Sequence, residues 1–228
     1  MNRSSIYKNL ENQKKDAIDR HLSLVMEKNK VLNLTAIRDL EDAKVLHVED
    51  SLCGLPEFES ALEGLYMDLG SGGGFPGVPL AIASGRDTVL IESVKKKAKA
   101  LEEFCEALGL STQIKVEAGR IEELTSKYRE TASVLTARAL SSIPSLLELA
   151  SPLLKDTGLL ILFKSGNYNV ELERASQINS KLGFSDPECH NYNLSDGSAR
   201  SLILFQKNGK AQLNLPRRTG IAQKKPLA

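Results

Sequence analysis

The chain has 228 residues, of which 41% are hydrophobic and 26% are charged, a balance that is ordinary for one large globular domain. Its 30 basic and 29 acidic residues leave a net charge of +1, which excludes a general electrostatic attraction to nucleic acid or to an anionic membrane. No apolar stretch reaches the roughly 20 residues of a membrane span, and residues 1–8 are too polar for a signal sequence, so we expect a cytoplasmic protein. The three cysteines form no C-x-x-C pair, which argues against a disulfide framework and a zinc site.

The first 60 residues predict a helical N-terminal extension. Apolar residues recur there at the spacing of one helix face, which predicts an amphipathic helix over residues 5–29. After a break at Asn33-Leu34-Thr35, a second helix is predicted over residues 39–53.

From residue 65 onward, short apolar runs alternate with helical patterns, which is typical of parallel strands joined by crossover helices. The predicted strands cover residues 65–69, 88–92, 113–116, 133–136, 158–164, 188–192 and 200–206. The predicted helices cover residues 78–84, 95–108, 121–128, 143–154 and 170–182. Asp196-Gly197 is a hairpin turn signal, so we predict an α/β fold whose mostly parallel sheet ends in an antiparallel pair.

The most informative segment is the glycine-rich run between Asp68 and Gly77, which follows the first strand and opens a helix. Glycines there let the backbone turn tightly and approach a ligand at the crevice side of the sheet. Gly72, Gly74 and Gly77 also satisfy the pattern G-x-G-x-x-G. A dinucleotide-dependent oxidoreductase is therefore one alternative.

Two features favour S-adenosyl-L-methionine as the ligand instead. The negative charge of Asp68 would oppose a pyrophosphate but would attract an ammonium and a sulfonium group. The predicted antiparallel hairpin is also unlike the all-parallel dinucleotide fold. Glu92, at the end of the second strand, is placed to accept hydrogen bonds from the ribose hydroxyls of either cofactor.

The loop from Gly70 to Leu80, Gly-Ser-Gly-Gly-Gly-Phe-Pro-Gly-Val-Pro-Leu, resembles the glycine loop of the GidB/RsmG methyltransferases. That family uses S-adenosyl-L-methionine to methylate N7 of a guanine in bacterial 16S ribosomal RNA. Further elements resemble the family in order along nearly the whole chain: Asn33-Leu34-Thr35, His47-Val48-Glu49-Asp50-Ser51, Arg120-Ile121-Glu122-Glu123, Ala137-Arg138-Ala139, and Pro216-Arg217-Arg218-Thr219-Gly220 with Lys224-Lys225-Pro226-Leu227. Two departures are a missing Trp near Lys28-Asn29-Lys30 and Lys164-Ser165-Gly166 in place of Lys-Gly.

The resemblance implies a Rossmann-like class I S-adenosylmethionine-dependent methyltransferase, with residues 1–60 as the extension, 61–207 as the methyltransferase domain and 208–228 as a basic C-terminal tail. From the residues and the resemblance together, we expect cofactor contacts from Asp68, Gly70, Gly72, Phe75, Glu92, Ile121, Glu122 and Arg138. We expect RNA binding or positioning by Asn33, His47, Asp50, Ser51, Lys164, Arg217, Arg218, Lys224 and Lys225. His47, Asp50 and Ser51 are also consistent with ordinary polar residues of a helix.

The chemistry that the resemblance implies needs no general base, because N7 of guanine carries a lone pair and no proton. A-form RNA hides N7 in a deep and narrow groove, so the target guanine must lie in a loop or be turned out. Because such a reaction leaves no catalytic residue to look for, a non-catalytic, cofactor-sensing RNA-binding protein is a second alternative. The expected partner is 16S ribosomal RNA or the small ribosomal subunit, bound by a monomer that contacts no membrane.

The C-terminal end is the one strongly basic stretch of the sequence. Residues 207–228 contain six basic residues and no acidic residue, which predicts contacts to RNA phosphates, although a disordered tail is an alternative. Since the glycine loop, Glu92 and Arg138 lie in the sheet domain, we expect that removal of residues 210–228 would weaken RNA binding and leave cofactor binding intact.

Overall fold

A seven-stranded sheet forms the centre of the protein, in a computed structural model that describes residues 3–228. Met1 and Asn2, which belong to the predicted extension, lie outside the described residues. The strands are β1 (Leu65–Leu69), β2 (Thr88–Glu92), β3 (Ile114–Ala118), β4 (Ala132–Arg138), β5 (Leu154–Ser165), β6 (Glu188–Asn193) and β7 (Ala199–Gln206).

The order of the strands in the sheet is β3-β2-β1-β4-β5-β7-β6. Strands β1 to β5 are parallel, and β7 runs antiparallel to both β5 and β6. The turn between β6 and β7 contains Gly197 with a φ of +83°, as the Asp-Gly signal predicts. The predicted α/β fold with an antiparallel strand near its end is confirmed.

Helices cover both faces of this sheet. They are α1 (Ile6–Asn9), α2 (Asn12–Asn29), α3 (Leu40–Ala43), α4 (Asp50–Leu52), α5 (Leu55–Ser60), α6 (Gly77–Ser84), α7 (Lys95–Ala107), α8 (Ile121–Tyr128), α9 (Ile143–Ala150), α10 (Asn169–Ser176) and α11 (Ile221–Lys224). A π-helical segment, Lys44–Glu49, joins α3 to α4, and 3₁₀ turns lie at Arg3–Ser5 and Ser180–Leu182. Within residues 3–228, no helix is long and apolar enough to cross a membrane.

The helix boundaries differ from the prediction where tertiary packing overrides the local pattern. The helix predicted over residues 5–29 is broken at Leu10 and Glu11, whose extended backbone separates α1 from α2. Helix α9 ends at Ala150, and β5 begins earlier than predicted because Leu154 pairs with Ala132 before a register shift in the ladder. The helix predicted over residues 170–182 ends at Ser176 and resumes only as a 3₁₀ turn.

The sheet separates two apolar cores, because alternate residues of a strand point to opposite faces. Tyr66 belongs to one core and Met67 to the other. The first core also contains Ile18 of α2, which packs over α6, whereas the second contains Leu215 and Ala222 from the C-terminal segment. Both ends of the described chain are therefore built into the cores, on opposite sides of the sheet.

Candidate active site

A cleft of about 730 Å³ opens at the carboxyl ends of the central strands. The strand order reverses between β1 and β4, and open α/β sheets bind their ligands at such a switch point. Its walls come from the glycine loop, from the segment between α2 and α3, from the π-helical segment and from the ends of β4 and β5. The predicted site residues that line it are His47, Asp50, Gly70, Gly72, Phe75, Glu92, Arg138 and Lys164.

The glycine loop adopts a backbone that only glycine accommodates easily. Gly70 and Gly72 have φ angles of +73° and +56°, in the left-handed region. A Cβ atom on Gly70 would lie 2.6 Å from a methyl group of Leu140, and one on Gly77 would lie 2.5 Å from Leu90. The loop is therefore held by close packing on its inner side, while Gly72 has open space on its outer side.

Glu92 holds the loop and also faces the cleft. Its carboxylate accepts hydrogen bonds from the backbone N–H groups of Gly72 at 3.0 Å and Val94 at 2.7 Å. A carboxylate offers about four acceptor positions, so these two bonds leave capacity for hydroxyl donors. This position is consistent with the predicted contact to a ribose.

Asp68 lies beneath the loop and does not line the cleft. Its Oδ1 accepts a hydrogen bond from the hydroxyl of Thr136 at 2.6 Å, and its buried Oδ2 has no hydrogen-bond partner. Burial raises the pKa of this carboxyl group to about 6. Asp68 therefore supports the loop from below, and the predicted attraction between its charge and the cofactor finds no support in its position.

Phe75 of the loop is enclosed by two histidines from the N-terminal segment. The rings of His47 and Phe75 stack with centroids 4.7 Å apart and an interplanar angle of 13°, and His21 packs on Phe75 at the same distance with a tilt of 44°. His21 also donates from Nε2 to the carbonyl oxygen of Gly73 at 3.1 Å. The N-terminal segment therefore fixes the conformation of the loop.

Sequence reasoning missed His21. It is fully buried, and burial lowers its pKa to about 3, so the ring is neutral. Its signal in the sequence is its position on the apolar face of α2, between Ile18 and Leu22. A histidine at such a position needs a polar partner inside the protein, which here is the loop carbonyl.

Arg138 links β4 to the N-terminal segment. Its guanidinium donates to Asp50 Oδ2 at 2.8 Å, to the Leu46 carbonyl at 3.1 Å and to His47 Nδ1 at 3.1 Å. His47 Nε2 then donates to the hydroxyl of Thr35 at 2.8 Å. Burial, and next the charge of Arg138, lower the pKa of His47 to about 3. His47 is therefore neutral with both ring nitrogens engaged, so it is unsuited to accept a proton at neutral pH.

Of the remaining predicted residues outside the C-terminal segment, one lines the cleft and four lie elsewhere. Lys164 faces the cleft and forms an ion pair with Glu171 at 2.7 Å. Ser51 is buried and donates its hydroxyl to the His47 carbonyl, so it stabilises the helix. Asn33 is exposed, bonded to Arg38 and outside the cleft. Ile121 and Glu122 line a smaller neighbouring cavity.

The C-terminal segment packs on the side of the sheet that carries the second core. Arg217 forms a two-fold ion pair with Glu148 of α9, with contacts of 2.7 and 2.6 Å. The backbone N–H of Gly220 donates to Glu122 at 2.7 Å. Lys207, counted above among the phosphate-binding residues, is buried, and burial lowers its pKa.

These contacts correct the expectations for the basic stretch. Lys207 is inaccessible to a phosphate, and the guanidinium of Arg217 is committed to a buried carboxylate. Arg218, Lys224 and Lys225 are exposed. The alternative of a disordered tail is wrong. The stretch also contacts Glu122, one of the residues predicted to bind the cofactor, so its removal would disturb that residue.

Residues 14–199 match the family model described as rRNA small subunit methyltransferase G. The chain belongs to this family. A curated relative named "Ribosomal RNA small subunit methyltransferase G" from Pseudothermotoga lettingae is 33% identical over 218 residues, which cover 96% of this chain and 94% of the relative. A relative of the same name from Carboxydothermus hydrogenoformans is 33% identical over 222 residues, which cover 96% and 94%.

Solved structures agree on the fold. An O-methyltransferase from Bacillus cereus in complex with SAH matches with a TM-score of 0.58 and 18% identity, over 82% of this chain and 90% of that chain. Precorrin-6y C5,15-methyltransferase from Geobacter metallireducens matches with a TM-score of 0.52 and 10% identity, over 76% and 90%. The protein is thus a class I methyltransferase, with S-adenosyl-L-methionine as its cofactor. Neither the oxidoreductase nor the non-catalytic alternative is favoured by these matches.

Proposed function

We propose that this protein transfers the methyl group of S-adenosyl-L-methionine to N7 of a guanine in 16S ribosomal RNA. The observation that carries the proposal is a methyltransferase cleft whose histidine, His47, is neutral and fully hydrogen-bonded. Methylation at an oxygen or an amino group requires a proton to be removed, whereas N7 attacks through a free lone pair. A cleft without a histidine base therefore suits N7 as the acceptor.

Different parts of the cleft would serve different parts of the reaction. The glycine loop after β1 and Glu92 at the end of β2 would hold the cofactor, which supplies an electrophilic methyl group when bound. The target guanine would enter over the ends of β4 and β5, beside Lys164 and Tyr168. Positioning of the two reactants is then the main catalytic contribution, and such positioning supplies about 7–11 kcal/mol in favourable cases.

Charge pairing in the cleft also fits this reaction. Methyl transfer moves a positive charge from the sulfur atom to the guanine ring, and an uncompensated cation beside the ring would oppose that change. Arg138 is paired with Asp50, and Lys164 is paired with Glu171. Arg200, which also lines the cleft, lies 3.8 Å from the other carboxylate oxygen of Asp50, so each of these three cations has an acidic partner within the protein.

The RNA would be held by exposed cations around the cleft. Lys97 of α7 lines the cleft, whereas its exposed neighbours Lys95 and Lys96 do not. Phosphate contacts of such residues give affinity that depends on salt, while a turned-out guanine supplies the specificity. We propose that the protein acts as a monomer in the cytoplasm, on the small subunit or its RNA.

The test is single-turnover methylation of small ribosomal subunits, or of their RNA, with radiolabelled S-adenosyl-L-methionine, followed by chemical cleavage at N7-methylguanine. We expect one cleavage site and a transfer rate that stays level between about pH 6 and 9, where a protein base would titrate. A methyl group on another atom would overturn the assignment to N7. Cofactor binding without any transfer would favour the non-catalytic alternative.

A further inference from the structure

Glu171 differs from the other carboxylates of the cleft in how its two oxygens are used. Within the described part of the chain, three acidic residues line the cleft, and both carboxylate oxygens of Asp50 and of Glu92 accept hydrogen bonds from the protein. Glu171 receives both of its bonds on Oε2, from the backbone N–H of Ile143 at 2.8 Å and from Lys164 at 2.7 Å. Its Oε1 accepts no hydrogen bond from any other described residue, so this oxygen is available to a ligand.

The position of Glu171 places this oxygen in the part of the cleft proposed for the target guanine. Strand β4 lies between β1, which carries the glycine loop, and β5, beside whose end Glu171 is held. Glu92 therefore serves the cofactor side of the cleft and Glu171 the opposite side. The side chain of Glu171 is 36% exposed, so a base that enters the cleft can reach it.

Lys164 provides a hydrogen-bond donor beside this acceptor. An ammonium group has three N–H donors, and Lys164 directs one to Glu171 and one to the carbonyl oxygen of Ser141 at 3.3 Å. The third donor has no acceptor among the described residues. The ion pair therefore offers one donor and one acceptor side by side, while its two charges compensate each other.

This pattern is complementary to guanine and not to adenine. In guanine the acceptor O6 lies between N7 and the donor N1–H, so a neighbouring donor and acceptor on the protein can bind O6 and N1–H and leave N7 free. Adenine reverses the order, because its 6-amino group donates and its N1 accepts. Enzymes that act on a turned-out base recognise it through hydrogen bonds of this kind to its Watson–Crick edge.

We propose that the Lys164–Glu171 pair selects the target base, with Lys164 donating to O6 and Oε1 of Glu171 accepting from N1–H of guanine. This inference rests on the proposed function above. It adds the residues that distinguish guanine from adenine, and it makes Glu171 a specificity-determining residue of the cleft.

The test is single-turnover methylation of small-subunit ribosomal RNA that carries either guanine or 2-aminopurine at the methylated position. The analogue 2-aminopurine keeps N7 and the 2-amino group but lacks O6 and the hydrogen on N1. Glu171→Gln preserves the size of the side chain and, with its amide oxygen on Lys164 and Ile143, presents a donor where guanine needs an acceptor. The matched control is Glu173→Gln, which makes the same charge change at an exposed residue of α10 outside the cleft.

We expect Glu171→Gln to slow transfer to guanine by about 5-fold to 150-fold and to slow transfer to 2-aminopurine much less. The ratio of the two rates should therefore fall, whereas Glu173→Gln should keep both wild-type rates. Calorimetric binding of S-adenosylhomocysteine checks that each variant is folded. If Glu171→Gln does not fold, Lys164→Met, which removes the donor to O6, should lower the same ratio.

Two outcomes overturn the inference. Equal slowing on both bases would mean that the pair has only a structural role, and unchanged rates would mean that it does not contact the base. Failure of the wild type to methylate N7 of any guanine would instead count against the proposed function itself.

Discussion

Replacing Arg217 with alanine should destabilise the protein strongly, although only eleven residues follow Arg217 in the sequence. The change leaves the carboxylate of Glu148, whose side chain is 2% exposed, without its cationic partner. Breaking a buried ion pair from one side costs about 3–5 kcal/mol, because the remaining charge is neither paired nor solvated. For a chain of this size, each kcal/mol lowers the melting temperature by about 2–4 °C. The expected shift is therefore roughly 6–20 °C.

The assay is thermal unfolding, supported by denaturant titration with an unchanged m-value. The matched control is Arg218→Ala, because Arg218 is the neighbouring arginine, is exposed and forms no ion pair with any residue in the described range 3–228. That control should change the free energy of unfolding by less than about 0.5 kcal/mol. Adding Glu148→Leu to an Arg217→Met variant should restore much of the stability, since apolar replacement of a buried pair is often neutral. Equal effects of Arg217→Ala and Arg218→Ala would refute the reasoning.

Three further predictions concern the glycine loop, its supporting histidine and the C-terminal segment. Gly72→Val should weaken S-adenosylhomocysteine binding at least tenfold, whereas Gly109→Val, at a similar positive φ with open surroundings but away from the cleft, should not. His21→Gln should reduce the loss of stability between pH 7 and pH 5 by about 2 kcal/mol. The sign follows because the unfolded histidine takes up a proton below about pH 6.5, whereas burial keeps the native pKa near 3. Removal of residues 210–228 should weaken S-adenosylhomocysteine binding, which a calorimetric titration of the truncated protein measures.

Each of these predictions has an opposing result. Equal losses of cofactor affinity for the two glycine variants would show that the loss comes from backbone strain at a positive φ. They would contradict the explanation that the loop backbone at Gly72 lies close to the cofactor. A pH dependence of the unfolding free energy that is the same for His21→Gln and the wild type would show that His21 is protonated in the native state. Full cofactor affinity after truncation would show that the C-terminal segment is dispensable for the site.

The fold was predictable because its signals are local. Each signal lies within a short run of consecutive residues: the strand and helix periods, the Asp-Gly turn and the glycine loop. The observed strands and their order in the sheet agree with these signals. The burial of Asp68 was also predictable, since the alternation of side chains along a strand places Asp68 on the same buried face as Tyr66. The prediction that its charge attracts the cofactor did not take that alternation into account.

The pairings that complete the site were not predictable from local pattern. Arg138 and Asp50 are 88 residues apart, and Arg217 and Glu148 are 69 residues apart. No periodicity links such residues, because their contact depends on how the strands and helices pack in three dimensions.

The docking of the C-terminal segment has a consequence for folding during synthesis. During synthesis, the glycine loop, Glu92 and the central strands leave the ribosome well before Arg217 does. Until then, the carboxylate of Glu148 lacks its counter-ion. A nascent chain that stops before Arg217 therefore carries a buried and unpaired carboxylate beside the second core, which destabilises that side of the sheet until the segment docks.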